Sequence, residues 1–411
     1  MNNYNEYILK NTSILDVNNG NINDNLDIYI KDGLIKSIGK NLNKNINVEC
    51  IDLLGNLIIP GLIECHAHIC SFGMTEYPKT LPSLNTAYAI KELEEMLMRG
   101  FTTLRDAGGA DYGYKLAINK KLINGPRLFI SGAPISQTGG HGDNRQIGEN
   151  TINCPCSSNA NMFVVADGVD SVRLAAREQI RKQVDHIKIM GSGGVASPSD
   201  TIESIQFTFD EIKAVVDEAK RFNKYVLCHA YNPTSIVNAV TAGVRTIEHG
   251  NLIDDDSASI MKKTKSFLVP TLVTYSKIVK EGAKNGLPEY HIQKGKEVEK
   301  YGLQSLDIAK HYGIKMGFGT DLFKNPSHYQ NEEFLIRSEV LTNLEIIQSA
   351  TIINAEIVNL KNKIGQIKEN FIADYIVLKE SPIDDINILN SPDNEFLIIA
   401  KDGVIVKNIL K

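Results

Sequence analysis

Residues 57–68 read Leu57-Ile58-Ile59-Pro60-Gly61-Leu62-Ile63-Glu64-Cys65-His66-Ala67-His68. An apolar run suited to a buried strand ends in two histidines one residue apart. Alternation along an extended chain places His66 and His68 on one face, as two ligands to one ion require. Further along, short apolar runs at 102–105, 127–131, 186–190, 225–229, 246–249, 267–270 and 315–319 alternate with amphipathic helices. That is the pattern of βα units around a parallel sheet. One such helix, at 209–219, opens with Asp210 and Glu211 near its positive dipole end. Together with 57–65 the runs make eight strands and imply a closed barrel; an open doubly wound sheet is the structural rival. The expected class is α/β, a TIM-like (βα)8 barrel over 61–360, a span that fits such a barrel carrying insertions.

The flanking segments read differently. Residues 7–60 alternate apolar and polar side chains between turns, including Lys31-Asp32-Gly33, and residues 364–411 repeat the pattern with Lys401-Asp402-Gly403. Asp-Gly supplies the positive φ of a tight hairpin turn. Short antiparallel strands from the two segments need one another to cover their apolar faces. A single small β-sandwich is therefore expected from 1–60 together with 361–411.

Composition narrows the function classes. The 411 residues carry 44 Lys+Arg against 49 Asp+Glu, a formal charge of -5, with 42% hydrophobic and 23% charged residues. Disorder would need fewer apolar residues, and a nucleic-acid binder a basic balance. Residues 1–17 lack the basic start and apolar run of a secretory signal, and no apolar stretch approaches the roughly 20 residues of a membrane span. A cytoplasmic protein with no membrane partner is expected. The six cysteines, at 50, 65, 70, 154, 156 and 228, are too scattered for a disulfide framework and are read as reduced. Cys154-Pro155-Cys156 matches neither a redox CxxC nor a zinc knuckle and reads as a loop thiol pair.

In a barrel of this kind the reactive groups stand at the C-terminal ends of the strands. Strand one ends at His66 and His68, strand five at Cys228-His229, strand six at Glu248-His249, strand eight at Gly319-Thr320-Asp321. A lone histidine near a strand end is more often a hydrogen-bonded core residue. Four histidines and an aspartate at strand ends point instead to metal ligands. The fourth strand offers Lys188 between Ile187 and Ile189. Burial favours its neutral amine, which takes up CO2 as an anionic carbamate able to bridge two cations; a buried lysine paired with an acid is the alternative. His186 is read as structural.

His66-x-His68, Lys188, His229, His249 and Asp321, in that order on a barrel flanked by a composite sandwich, resemble the metal-dependent amidohydrolase superfamily with a binuclear centre. Finer features resemble its Xaa-Pro dipeptidase (prolidase) and imidazolonepropionase-like branch, which also holds the ochratoxin-degrading amidase. They are Thr138-Gly139-Gly140-His141-Gly142-Asp143, Ala166-Asp167-Gly168, Gly193-Gly194, His229-Ala230-Tyr231, Ile247-Glu248-His249-Gly250 and Val269-Pro270-Thr271-Leu272. Asn232 departs from the pattern, standing where glycine is expected. The resemblance implies two divalent ions, zinc foremost: His66 and His68 on one, His229 and His249 on the second, N6-carboxylated Lys188 bridging and Asp321 on the first. Two cations sharing a water bring it to hydroxide near neutral pH, and Asp321 moves the proton to the leaving nitrogen.

His141 and Tyr231 are the expected hydrogen-bond donors to the substrate carbonyl, and Arg145 the expected partner of a substrate carboxylate. Arg105 and Asp106 are expected to pair with each other at the barrel mouth. The expected reaction is hydrolysis of a dipeptide, Xaa-Pro or related, or of an N-acyl amino acid. A mononuclear cyclic-amide hydrolase or deaminase, and a non-catalytic barrel scaffold, are the alternatives. Long loops and sandwich edges suit a homo-oligomer.

Overall fold

The computed structural model describes residues 5–42, 48–71, 81–143, 145, 163–198, 200–322 and 327–410; Cys154 and Cys156 lie outside them. Two parallel sheets make the barrel wall. Leu62–Ala67, Phe101–Asp106 and Arg127–Phe129 form one. Val164–Val165, Ile135–Ser136, Ile187–Met190, Val226–Ala230, Thr246–His249 and Phe267–Val269, in that spatial order, form the other.

Backbone bonds outside the strands join them into a ring. Asp185 N donates to Ile130 O at 2.8 Å on one side. On the other, segment 315–321 takes both roles: Gly317 N donates to Leu268 O at 2.8 Å, while Cys65 N donates to Phe318 O at 3.0 Å and Asp321 N to His66 O at 2.8 Å. The eighth strand expected at 315–319 is thus present as a line of backbone contacts, with one parallel bridge between Leu268 and Met316, and not as a continuous ladder. Asn354 braces this line from outside the ladder, its Nδ2 donating to Ile63 O at 2.6 Å and to Phe318 O at 2.9 Å.

The expected strand 57–65 divides at Gly61. Leu57–Pro60 pairs antiparallel with Tyr375–Leu378 outside the barrel, and Leu62–Ala67 enters the wall. A Cβ at Gly61 would lie 2.3 Å from Thr102 Oγ1, so only glycine permits the crossing.

One coiled sheet accounts for the sandwich, running Val404–Asn408, Phe396–Lys401, Tyr375–Leu378, Leu57–Pro60, Glu6–Leu15, Ile22–Lys31, Leu34–Gly39, with Glu49–Asp52 added alongside Glu6–Leu15. It curls until its two Lys-Asp-Gly turns touch. A Cβ at Gly403, where φ is +73°, would lie 2.9 Å from Gly33 Cα. Tyr7, Leu9, Ile28, Ile30, Tyr375 and Ile398 are buried between the layers. Arg127 fastens this domain to the third barrel strand through Asp374, at 2.6 Å, and Asp402.

The helices follow their sequence signals. Phe209–Arg221 begins with a Thr208/Glu211 capping box, ends in Lys220 and Arg221, and buries Ile212, Val215, Val216 and Ala219 against the wall. Among the described residues no helix is long and apolar enough to cross a membrane.

Candidate metal centre

The strand ends deliver their side chains to one place. Ring centroids lie 5.3 Å apart for His66 and His68, 4.9 Å for His66 and His249, 4.7 Å for His229 and His249, and 4.3 Å for His141 stacked on His229. Tyr231 stacks on His249 at 5.2 Å. His249 and Asp321 have φ of 74° and 52°, a region side-chain-bearing residues seldom enter. At the end of its strand this turn lets consecutive side chains, Glu248 and His249, both serve the interior. Glu64, pushed up to about 7 by burial, accepts from His66 N at 2.8 Å, Thr320 N at 3.1 Å, the Thr320 hydroxyl at 3.0 Å and Gln330. It ties the His66 strand to the segment carrying Asp321.

Hydrogen-bond partners decide which nitrogen of each ring is left for a ligand. His66 Nδ1 lies 2.6 Å from Glu248 Oε2, and His68 Nδ1 2.9 Å from Gly108 O. A carboxylate and a carbonyl only accept, so both Nδ1 atoms donate and both neutral rings keep a lone pair at Nε2. These two lone pairs converge on Asp321 Oδ1, at 3.4 Å from His66 and 3.3 Å from His68, and that oxygen has no hydrogen-bond partner. Three lone pairs facing inward repel unless a cation or a proton lies between them. Ligand atoms of His66, His249 and Asp321 all lie within 4.8 Å of one another. The donor set fits a divalent metal, and nitrogen with carboxylate oxygen suits zinc. His229 Nε2 faces Gly193 O at 3.1 Å, which leaves Nδ1 as the nitrogen free to bind a metal.

The electrostatics agree. Burial works against the carboxylate of Asp321, but His66 and His68 hold it well below the usual range. Burial likewise opposes charge on His68, yet Asp321 keeps its pKa above the ordinary imidazole value, so a proton can stand between the two where a cation otherwise would. His229 and His249 are pushed well down, chiefly by burial, which favours the neutral rings that a metal requires of its ligands.

Lys188 is 1% exposed. In register it stands beside Leu227, one layer below Met190 and His229. Burial lowers its pKa against the pull of Glu248 and Asp321. Lys188 makes no ion pair among the described residues.

Tyr231 OH lies 2.6 Å from Tyr275 OH, which lies 2.9 Å from His249 Nδ1; Thr271 Oγ1 is 2.7 Å from the same nitrogen. His141 Nδ1 lies 2.8 Å from Ser197 Oγ, and burial brings its pKa down to about 4. Arg145 is held by Asp143, with Nε 2.8 Å from Oδ1. Asn232 caps helix Pro233–Ala242, its Oδ1 accepting from Ser235 N at 2.9 Å, which explains asparagine at that turn. His186 stays apart from the cluster, stacked on Tyr225 with Nε2 3.0 Å from Asp106 O.

The expected Arg105–Asp106 pair does not form. Adjacent strand residues point to opposite faces, so Arg105 enters the barrel while Asp106 turns to the loop. Arg105 Nη2 donates to both oxygens of Glu248 at 2.9 and 2.8 Å, and Asp106 accepts from Ile69 N, Gly108 N and Ala110 N. The sequence assigns Arg105 a different partner, and it assigns no role to Glu248, Thr271, Tyr275, Ser197 and Asp200. Glu248 had a signal, an acid embedded in an apolar strand, which calls for a buried partner; the others had none.

A family model described as "Amidohydrolase family" matches residues 57–411. Among curated proteins, ochratoxinase of Aspergillus niger is 31% identical over 353 residues, 82% of this chain and 73% of its own. A solved prolidase complexed with N-methylphosphonate-L-proline superposes with a TM-score of 0.95 at 41% identity, covering 98% of this chain and 100% of that one. A Xaa-Pro dipeptidase with methionine bound in its active site gives 0.87 at 27%, covering 98% and 100%.

Proposed function

The chain belongs to the amidohydrolase family, in the branch of prolidases and ochratoxinase, and from that premise we propose that it is a binuclear metal-dependent hydrolase of dipeptides, Xaa-Pro or related, or of N-acyl amino acids. The observation that carries this reading is the convergence of His66 Nε2, His68 Nε2 and the unpartnered Asp321 Oδ1, with buried Lys188 close enough for the Asp321 charge to act on it.

His66, His68 and Asp321 would hold one ion, and His229 and His249 the second. Lys188, as a neutral amine, combines with CO2 and releases a proton, giving the carbamate that would bridge them. When bound, such ions acidify water and polarise a carbonyl oxygen.

Asp321 accepts the proton of the attacking water and hands it to the departing nitrogen. Amide and water become a carboxylate and an ammonium: one water proton reaches the nitrogen through Asp321, and the second, left on the new carboxyl group, is taken up by the released amine. With His249 Nε2 given to a ligand, its Nδ1 donates toward Thr271 and Tyr275. Tyr275 then donates its hydroxyl hydrogen bond to Tyr231, whose own hydroxyl is left to donate to the substrate oxygen as that oxygen gains charge. His141 lies against His229 with a lone pair on Nε2, able to accept from an amide or ammonium N–H of the substrate; donation from this ring needs its protonated form. Arg145 serves a substrate carboxylate only by releasing Asp143.

The test is metal content per chain together with a panel of dipeptides ending in proline, basic and aromatic residues and of N-acyl amino acids. Two ions per chain, raised by bicarbonate during growth, with cleavage of at least one amide, is the expected result. The tight grouping of His66, His249 and Asp321 favours, as a second reading, a mononuclear cyclic-amide hydrolase or deaminase. One ion per chain insensitive to bicarbonate selects it. Cleavage of lactones or organophosphates with no amide turned over overturns the dipeptidase reading.

A further inference from the structure

Helix Glu289–His311 carries none of the ligands, yet Lys294 reaches from it to the loop after strand Ile187–Met190. Its Nζ donates to Gly194 O at 3.1 Å, Ser197 O at 2.9 Å and Asp200 O at 2.6 Å, and lies 3.5 Å from Asp200 Oδ1. Three ammonium hydrogens meet three carbonyls of one short loop. The Asp200 side chain, 3% exposed, is the hub of that loop. Oδ1 receives the Ser197 hydroxyl and Oδ2 receives Gln206 Nε2 at 2.9 Å.

Both donors in turn hold one residue. Ser197 Oγ is 2.8 Å from His141 Nδ1, and Gln206 Oε1 accepts from His141 N at 2.9 Å. Ring and backbone of His141 thus hang from the two oxygens of a single carboxylate. Beneath them, a Cβ on Gly194 would lie 2.2 Å from His141 Cε1, so the ring rests directly on that backbone. The single hydrogen of Ser197 is committed to Asp200. Its oxygen can therefore only accept, and His141 Nδ1 must carry the hydrogen.

We propose that Asp200 and Lys294 are positioning residues: acting through Ser197 and Gln206, they clamp the His141 imidazole against His229 with Nδ1 as donor, so that Nε2 is the nitrogen presented to substrate. The clamp deepens the amide-hydrolase reading and rests on it. Buried charges used in this way fix a geometry more than they add stability, and a displacement of about 1 Å at such a group costs about 100-fold in rate.

The experiment compares Asp200→Ala, Ser197→Ala, Lys294→Met and Lys294→Arg with the wild-type holoenzyme on whichever amide it cleaves. Asp200→Ala and Ser197→Ala are expected to lower kcat by about 30-fold or more with KM within about threefold and bound metal unchanged. Lys294→Met is expected to follow with a smaller loss that Lys294→Arg largely restores.

A readout free of turnover is 15N NMR of histidine-labelled protein, with the His141 signal identified by its loss in His141→Gln. The wild type is expected to show hydrogen at Nδ1, and Ser197→Ala, which leaves Lys294 and Asp200 in place, a mixture of tautomers. Unchanged kcat in Ser197→Ala, or losses that merely track lost metal or folded protein, overturn the proposal. So does a His141 signal with hydrogen at Nε2. Should the wild type cleave no amide, the functional reading fails while the NMR comparison still decides the clamp.

Discussion

Glu248 lies between His66 and Arg105, 2.6 Å from the imidazole Nδ1 and 2.8 Å from the guanidinium. Arg105 and His66 hold its carboxyl, wholly buried, well below the usual range in spite of that burial. One carboxylate therefore fixes the tautomer of His66 and neutralises a buried arginine. Glu248→Ala breaks both contacts. Metal affinity is expected to fall about 10- to 100-fold, and the unpaired Arg105 to cost about 3–5 kcal/mol of stability. Competition with a metal-binding dye and thermal melts of the metal-free protein read the two effects separately.

Lys188→Ala removes the amine and leaves a small apolar residue in the wall. Loss of at least one ion per chain is expected, with kcat/KM down by about a thousandfold or more, the scale of losing a charged group at a reacting centre. Elemental analysis beside kinetics checks it, and retention of both ions with full turnover rules out a bridging role.

Tyr231, Tyr275 and His249 form one hydrogen-bonded chain, so in the proposed role the losses of the two hydroxyls should not add. Tyr231→Phe is expected to lower kcat by about 10- to 100-fold. Tyr275→Phe should cost less, and the double variant little more than Tyr231→Phe alone. Additive losses in this cycle would mean that the hydroxyls work independently.

Glu218 is buried in helix Phe209–Arg221, 2.9 Å from Arg177 and close to Arg173 and Arg221. Its hydrogen bond from Arg177 holds its pKa below the ordinary carboxylate value. A depressed pKa stabilises the fold above the unfolded value, about 4.3, and that contribution disappears as pH falls through the folded value. Urea melts at pH 7 and pH 3 are expected to show a smaller acid-induced loss in Glu218→Gln than in the wild type.

Much of the centre was legible from local rules. Alternation aligned His66 with His68, and the apolar runs marked the strand ends where His229, His249 and Asp321 stand. The supporting groups were not legible, because each is defined by a partner far away in sequence. Arg105 finds Glu248 across 143 residues, and Lys294 finds Asp200 across 94. Local reading paired Arg105 with its neighbour Asp106, whereas the pleat separates them. The division of 57–65 at Gly61 was hidden for the same reason: what forbids a side chain there is Thr102, known only once the barrel is closed.

Leu57–Pro60 is flanked on one side by Glu6–Leu15 and on the other by Tyr375–Leu378. During synthesis, a nascent polypeptide that has emerged only as far as the barrel keeps that second edge open, a template for pairing with other chains. The seam shuts only when the closing hairpins leave the ribosome, so translation stalled before residue 375 should yield barrels that stick to one another or to chaperones.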